Sequence, residues 1–137
     1  MSLEENKEIQ RRILIDVHSP GKLDLVDELY DKNFIGLPDM TKGTENVKKF
    51  ISNLLNTFPD IKFTIEDQIA EGDKVFAQWS ITGTHKGEFM GIAPTGKPIS
   101  VSGVTVYKIL NGKAIQAWGM IDNLGILQQI GVVSLPE

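Results

Sequence analysis

Ile99-Ser100-Val101-Ser102-Gly103-Val104-Thr105-Val106-Tyr107-Lys108-Ile109-Leu110-Asn111-Gly112-Lys113-Ala114-Ile115-Gln116-Ala117-Trp118-Gly119-Met120-Ile121-Asp122 is the stretch whose reading decides the fold. Two runs rich in Val, Ile, Thr and aromatic residues are joined by Asn-Gly, the dipeptide that best supplies the two left-handed residues of a tight hairpin turn. The same period of two extends upstream. Ile61, Phe63 and Ile65 alternate with Lys62, Thr64 and Glu66; after the turn residues Glu71-Gly72-Asp73, Val75, Ala77, Trp79 and Ile81 alternate with polar neighbours. The second half of the chain is therefore expected to be an antiparallel meander.

The first half has a helical period. Ser2 and Glu5 form a capping-box pattern, and Ile9, Ile13, Leu14 and Val17 follow at helical spacing until Ser19-Pro20-Gly21. Leu23, Val26 and Tyr30 suggest a short second helix, and Phe34 to Leu37 a short strand ended by Pro38. Val47, Phe50, Ile51, Leu54, Leu55 and Phe58 form the clearest stripe, closed by Pro59, with Phe50 and Leu54 expected in the core. Helices first and a meander second predict an α+β layout, with the helices on one face of a curved sheet.

The 137 residues, 41% hydrophobic and 23% charged, fit one folded domain spanning 1–137. A net charge of -4 without a basic patch argues against a nucleic-acid partner. The absence of cysteine excludes disulfides, thiolate metal sites and a cysteine nucleophile. No apolar run reaches membrane-span length, and the charged, helical N-terminus does not resemble a signal peptide, so a cytoplasmic location is expected.

Gly83 to Lys97 is a glycine-rich loop that is also apolar, with Phe89, Met90 and Ile92 clustered in it, which suggests that it folds over something apolar. Gly91 to Lys97 nearly spells a phosphate-binding loop. Pro98 stands where Ser or Thr would hold magnesium, and a strand follows instead of a helix, so that reading is discarded. Two distant histidines give no recognisable metal site, and no metal is expected.

On the last strand, Ile115, Ala117, Gly119 and Ile121 share one face, and Gln116, Trp118, Met120 and Asp122 the other. Both faces are partly apolar, which predicts helices and a pocket on one side and a second copy of the chain on the other; the alternative is a sheet wrapped entirely by its own chain. Asp122 is a candidate acid/base if an apolar pocket surrounds it; equally, it can begin a turn and cap the helix after it. His85, where strand becomes loop, can polarise a carbonyl or simply stabilise the loop. Trp118, Met120, Phe50, Leu54, Trp79 and Phe89 are candidate walls for an apolar ligand, and Gln78, Ser102 and Gln116 candidate polar contacts. His18, in a helix-ending turn, reads as structural.

The ordered set Phe58-Pro59-Asp60, Glu71-Gly72-Asp73, Gly83-Thr84-His85-Lys86-Gly87, Ala93-Pro94-Thr95-Gly96-Lys97, Trp118 with Asp122, and Leu127-Gln128-Gln129-Ile130-Gly131 resembles the SnoaL-like polyketide cyclases and their predicted ester cyclase relatives. The resemblance spans Gly21 to Gly131. It implies the nuclear-transport-factor-2-like cone: a curved antiparallel sheet with three N-terminal helices around a central cavity, commonly as a homodimer. It also implies an intramolecular aldol ring closure by an acid/base carboxylate, here at Asp122, with no cofactor. Relatives often carry Glu-His before the Trp, where this chain has Gln116-Ala117, and a His where it has Ile35-Gly36-Leu37. Two functions follow. One is cofactor-free cyclisation, isomerisation or dehydration of a small apolar carbonyl compound. The other is a non-catalytic binding or carrier module for a small hydrophobic ligand, motivated by the missing polar positions.

Overall fold

The computed structural model describes residues 2–18 and 22–134. Helix α1 (Leu3–Arg11) opens with the capping box: the Glu5 amide donates to Ser2 Oγ, and the Ser2 amide to Glu5 Oε1, each at 3.1 Å. The helix then widens into a π-helical segment, Arg12–His18, which keeps Ile13, Leu14, Val17 and His18 buried. The Ser19-Pro20-Gly21 stop lies outside the described residues.

The second helix is shorter than its pattern suggests. A 3₁₀ turn at Leu23–Leu25 leads into α2 (Val26–Leu29), and Tyr30 already begins β1 (Tyr30–Leu37). After the two-residue β2 (Thr41–Lys42), α3 runs from Gly43 to Thr57. Strands β3 (Lys62–Glu71), β4 (Lys74–Thr84), β5 (Pro98–Leu110) and β6 (Lys113–Ile121) form the meander, and α4 (Asn123–Gln129) follows. Asn111 and Gly112 have φ of 51° and 78°, the paired left-handed residues that the β5–β6 hairpin requires.

The sheet order is β2-β1-β6-β5-β4-β3. All neighbours are antiparallel except β1 with β6, where the chain returns across the helical layer to pair parallel. The result is the expected cone: mixed α+β, with a curved sheet and the helices on its inner face. Two buried clusters join the layers. One gathers Ile9, Val26, Tyr30, Ile51 and Tyr107; the other gathers Leu14, Phe58, Phe63, Trp79 and Ile126.

The apolar stripe of α3 is split between two environments. Val47 and Ile51 are buried in the first cluster, whereas Leu54 is half-buried and Phe50 is 46% exposed, so neither is a plain core residue. The stripe is wider than the arc that touches the sheet, and its remaining part faces the cavity described below. Ile51→Ala should therefore cost about 2–5 kcal/mol. Leu54→Ala should cost clearly less, because it enlarges existing space instead of opening a void. Urea unfolding of the two variants checks the order; a larger loss at Leu54 would contradict this placement.

Candidate functional site

Between helices and sheet lies a cavity of about 460 Å³, within the usual size of small-molecule sites. Leu14, His18, Val47, Phe50, Leu54 and Phe58 line it from the helical side. Tyr30, Phe34, Phe63, Trp79, Ile81, Thr105 and Tyr107 line it from the sheet. Phe89 closes it from the loop after β4, and the exposed residues Pro38, Asp39, Met120 and Asn123 mark its mouth.

The space exists because the sheet residues that face it are small where the helices stand off: Thr105, Ala117 and Gly119 all line the cavity. Gly103 contributes in another way. A Cβ there would collide with the Trp79 ring, which lies against the β5 backbone. Trp79 is held in that orientation by its indole N–H, which donates to Thr105 Oγ1 at 2.9 Å.

Four buried polar side chains reach this apolar space: His18, Tyr30, Thr105 and Tyr107. His18 Nε2 is 3.2 Å from the Tyr30 hydroxyl, and the Tyr107 ring stands edge-on to the Tyr30 ring with centroids 6.5 Å apart. Phe50 and Phe63 present ring edges around His18. Burial pushes the His18 imidazole down to about 4, because a charged ring has no compensating anion there. Burial also pushes the Tyr107 phenol up to about 12, and burial, with the neighbouring Tyr107, pushes the Tyr30 phenol well above its ordinary value. At neutral pH the whole group is uncharged.

Of the residues expected at a site, Phe50, Leu54, Trp79, Phe89 and Met120 line this cavity. Asp122 does not. It is exposed and caps α4, with the Gly125 amide donating to Asp122 Oδ1 at 2.8 Å, although its neighbours Ile121 and Asn123 do line the cavity. Trp118 also lies elsewhere. Because Ala117 and Gly119 point inward, strand alternation sends Trp118 to the outer face, where it is 44% exposed. Gln78, Ser102 and Gln116 are likewise exposed and absent from the cavity wall. His85 is fully buried behind that wall, in ring contact with Phe58 and Phe89. Its Nδ1 accepts from the Thr95 amide at 3.2 Å and lies 3.0 Å from Thr95 Oγ1. It therefore pins the Gly83–Lys97 loop.

The inward-facing polar residues that sequence reasoning missed are His18, Tyr30, Thr105 and Tyr107, and part of the apolar wall, such as Phe34 and Phe63, was missed with them. The signal for His18 was present: it stands four residues after Leu14 and continues the apolar face of the first helix. Tyr107 shares strand parity with Thr105. Among the described residues, no cluster of three or more metal-ligating side chains is found, and no helix is long and apolar enough to cross a membrane.

Comparison with known proteins agrees with this architecture. The family model for SnoaL-like polyketide cyclases matches residues 8–130. TsrD from Streptomyces laurentii has the same fold at 23% identity, with a TM-score of 0.89 and 97% and 99% of the two chains covered. A candidate polyketide cyclase from Acidithiobacillus ferrooxidans is 31% identical over 95% of this chain and 97% of its own, with a TM-score of 0.82. One from Bacillus cereus is 29% identical over 98% and 87%, with a TM-score of 0.81. No curated protein matches the chain.

The buried imidazole predicts a pH dependence. His18 titrates near 6.5 when unfolded and near 4 when folded, so below pH 6.5 the unfolded chain takes up the proton first. Stability that is fully present above about pH 6.5 should fall as the pH drops toward 4, by up to about 3 kcal/mol. Denaturant titrations across that range should show this slope, and His18→Gln should flatten it.

Proposed function

This chain belongs to the SnoaL-like polyketide cyclase family, and from that membership we propose that it performs acid/base chemistry on a small, apolar carbonyl compound held in the cavity. The observation that carries this reading is the cavity itself: an apolar, aromatic-walled space of ligand size with a few uncharged polar groups inside. Aldol-type cyclisation, double-bond isomerisation and dehydration all fit, since each moves a proton next to a carbonyl.

Asp122 is the proposed carboxylate. It stands at the mouth, between two residues that line the cavity. Oδ1 is engaged with the Gly125 amide, which leaves Oδ2 to take the proton adjacent to the substrate carbonyl and return it to the new alkoxide. The second reading, a binding or carrier module, is favoured by the same residue: its carboxylate is exposed and serves as a helix cap.

Asp122→Asn separates the two. Asn caps helices about as well as Asp, so fold and cavity should persist while the proton acceptor is lost. On a substrate found by screening carbonyl compounds, turnover should fall by on the order of 10²–10⁴, with binding retained. Full turnover in the variant would remove Asp122 from the chemistry. Ligands that raise the melting temperature with no compound turned over would favour the carrier reading.

We further propose a cytoplasmic homodimer formed through the outer sheet face. Trp118, 44% exposed, stands there opposite Val106 on β5, making an apolar patch typical of interfaces. Sedimentation should give a dimer at micromolar concentration, and Trp118→Glu should give a folded monomer. A monomeric wild type would refute the assembly.

A further inference from the structure

The buried polar groups of the cavity stand as a row, His18, Tyr30 and Tyr107, each lining the cavity: His18 Nε2 is 3.2 Å from the Tyr30 hydroxyl, and the Tyr107 ring lies edge-on to that of Tyr30. They come from three separate elements: the π-helical segment, the start of β1 and the middle of β5. Burying three polar side chains in an apolar wall is costly unless their hydrogen bonds are made. Phenylalanine would fill the same volume at the two tyrosines without that cost, so the hydroxyls call for another explanation.

Counting hydrogens gives one. A neutral imidazole contributes one N–H and each phenol one O–H, so the row holds up to three donors. The hydrogen bond of ordinary length within it, between His18 Nε2 and the Tyr30 hydroxyl, consumes one. That leaves the buried Tyr107 O–H to find a partner in a cavity whose other walls are mostly apolar.

We propose that this row is a carbonyl-oxygen site, with the Tyr107 hydroxyl donating to the substrate oxygen and the hydrogen-bonded Tyr30–His18 pair adding polarity beside it. The inference rests on the reading of the cavity as a substrate site and deepens it, by fixing which end of the cavity the oxygen occupies. Negative charge that develops on that oxygen as an enolate forms would meet a preorganised donor in a water-poor space, where such a bond is strongest. The row carries no positive charge. It therefore selects a neutral ketone or aldehyde and rejects a carboxylate, whose buried charge would find no counter-ion.

The test uses the full chain and three flat probes: naphthalene, 2-acetylnaphthalene and 2-naphthoate. The ketone should bind about 2- to 10-fold more tightly than naphthalene, the worth of one hydrogen bond, and the naphthoate more weakly than either. The infrared carbonyl band of the bound ketone should lie below its position in cyclohexane. Tyr107→Phe should move the band back up and abolish the ketone's advantage while keeping naphthalene affinity, which reports an intact cavity. If naphthalene binds but the ketone gains nothing, or its band is unshifted, the oxygen site is wrong and the cavity reading stands. If neither naphthalene nor the ketone binds, the cavity reading fails and takes the proposal with it. Should Tyr107→Phe lose naphthalene as well, Tyr30→Phe replaces it, and a band unmoved by that substitution overturns the row.

Discussion

One buried amide sets how the helical layer stands on the sheet. Gln10, completely buried near the end of α1, donates from Nε2 to the carbonyls of Val75 and Thr105 at 3.1 and 3.2 Å. Its Oε1 accepts from Gln68 Nε2 at 2.9 Å, so the side chain is satisfied on both ends by three strands. Removing it would take a donor from both carbonyls and an acceptor from Gln68, at about 0.5–1.5 kcal/mol for each bond lost. With the helix fixed at this point, the following residues must run across the sheet. That path brings Leu14 and His18 over the cavity.

The cavity is the volume that the two buried clusters leave between them. Tyr30 and Tyr107 belong to one cluster, Phe58 and Trp79 to the other, and all four also line the cavity. The same residues therefore hold the layers together and shape the space for a ligand. The loop after β4 contributes Phe89 in a similar double role. His85 and Thr95 tie its two arms together, with backbone bonds from His85 to Lys97 and from Gly96 to His85 at 2.9 and 2.8 Å.

Local signals carried much of the fold. The Asn111-Gly112 turn, the Ser2/Glu5 capping box and the α3 stripe depend on neighbours a few residues apart, and each is formed. What escaped depends on distant parts of the chain. The spacing of Leu23, Val26 and Tyr30 suits a helix, but parallel pairing with β6 recruits Tyr30 and its successors into a strand. Strand parity was also legible, since Trp118 and Ala117 must face opposite ways. Which parity faces the cavity is decided by where the helices pack. There the small residues Ala117 and Gly119, not the aromatic beside them, mark the inward face. Asp122 illustrates the same limit: its position is readable, but whether its carboxylate turns inward or caps α4 depends on the geometry of the β6–α4 corner.

The π-helical segment at Arg12–His18 makes backbone register a positioning device. A π-turn accommodates extra backbone within a helix and is kept where it serves a site. If the same residues kept ordinary α-helical pitch, everything after the turn would be rotated by roughly 100° relative to α1. Gln10 would still hold its two carbonyls, yet the imidazole would swing off the line of the two phenols. In this chain a change of backbone pitch that leaves composition and charge untouched would therefore erase the polar side of the cavity, so the facing of the imidazole is set by helix register as much as by residue type.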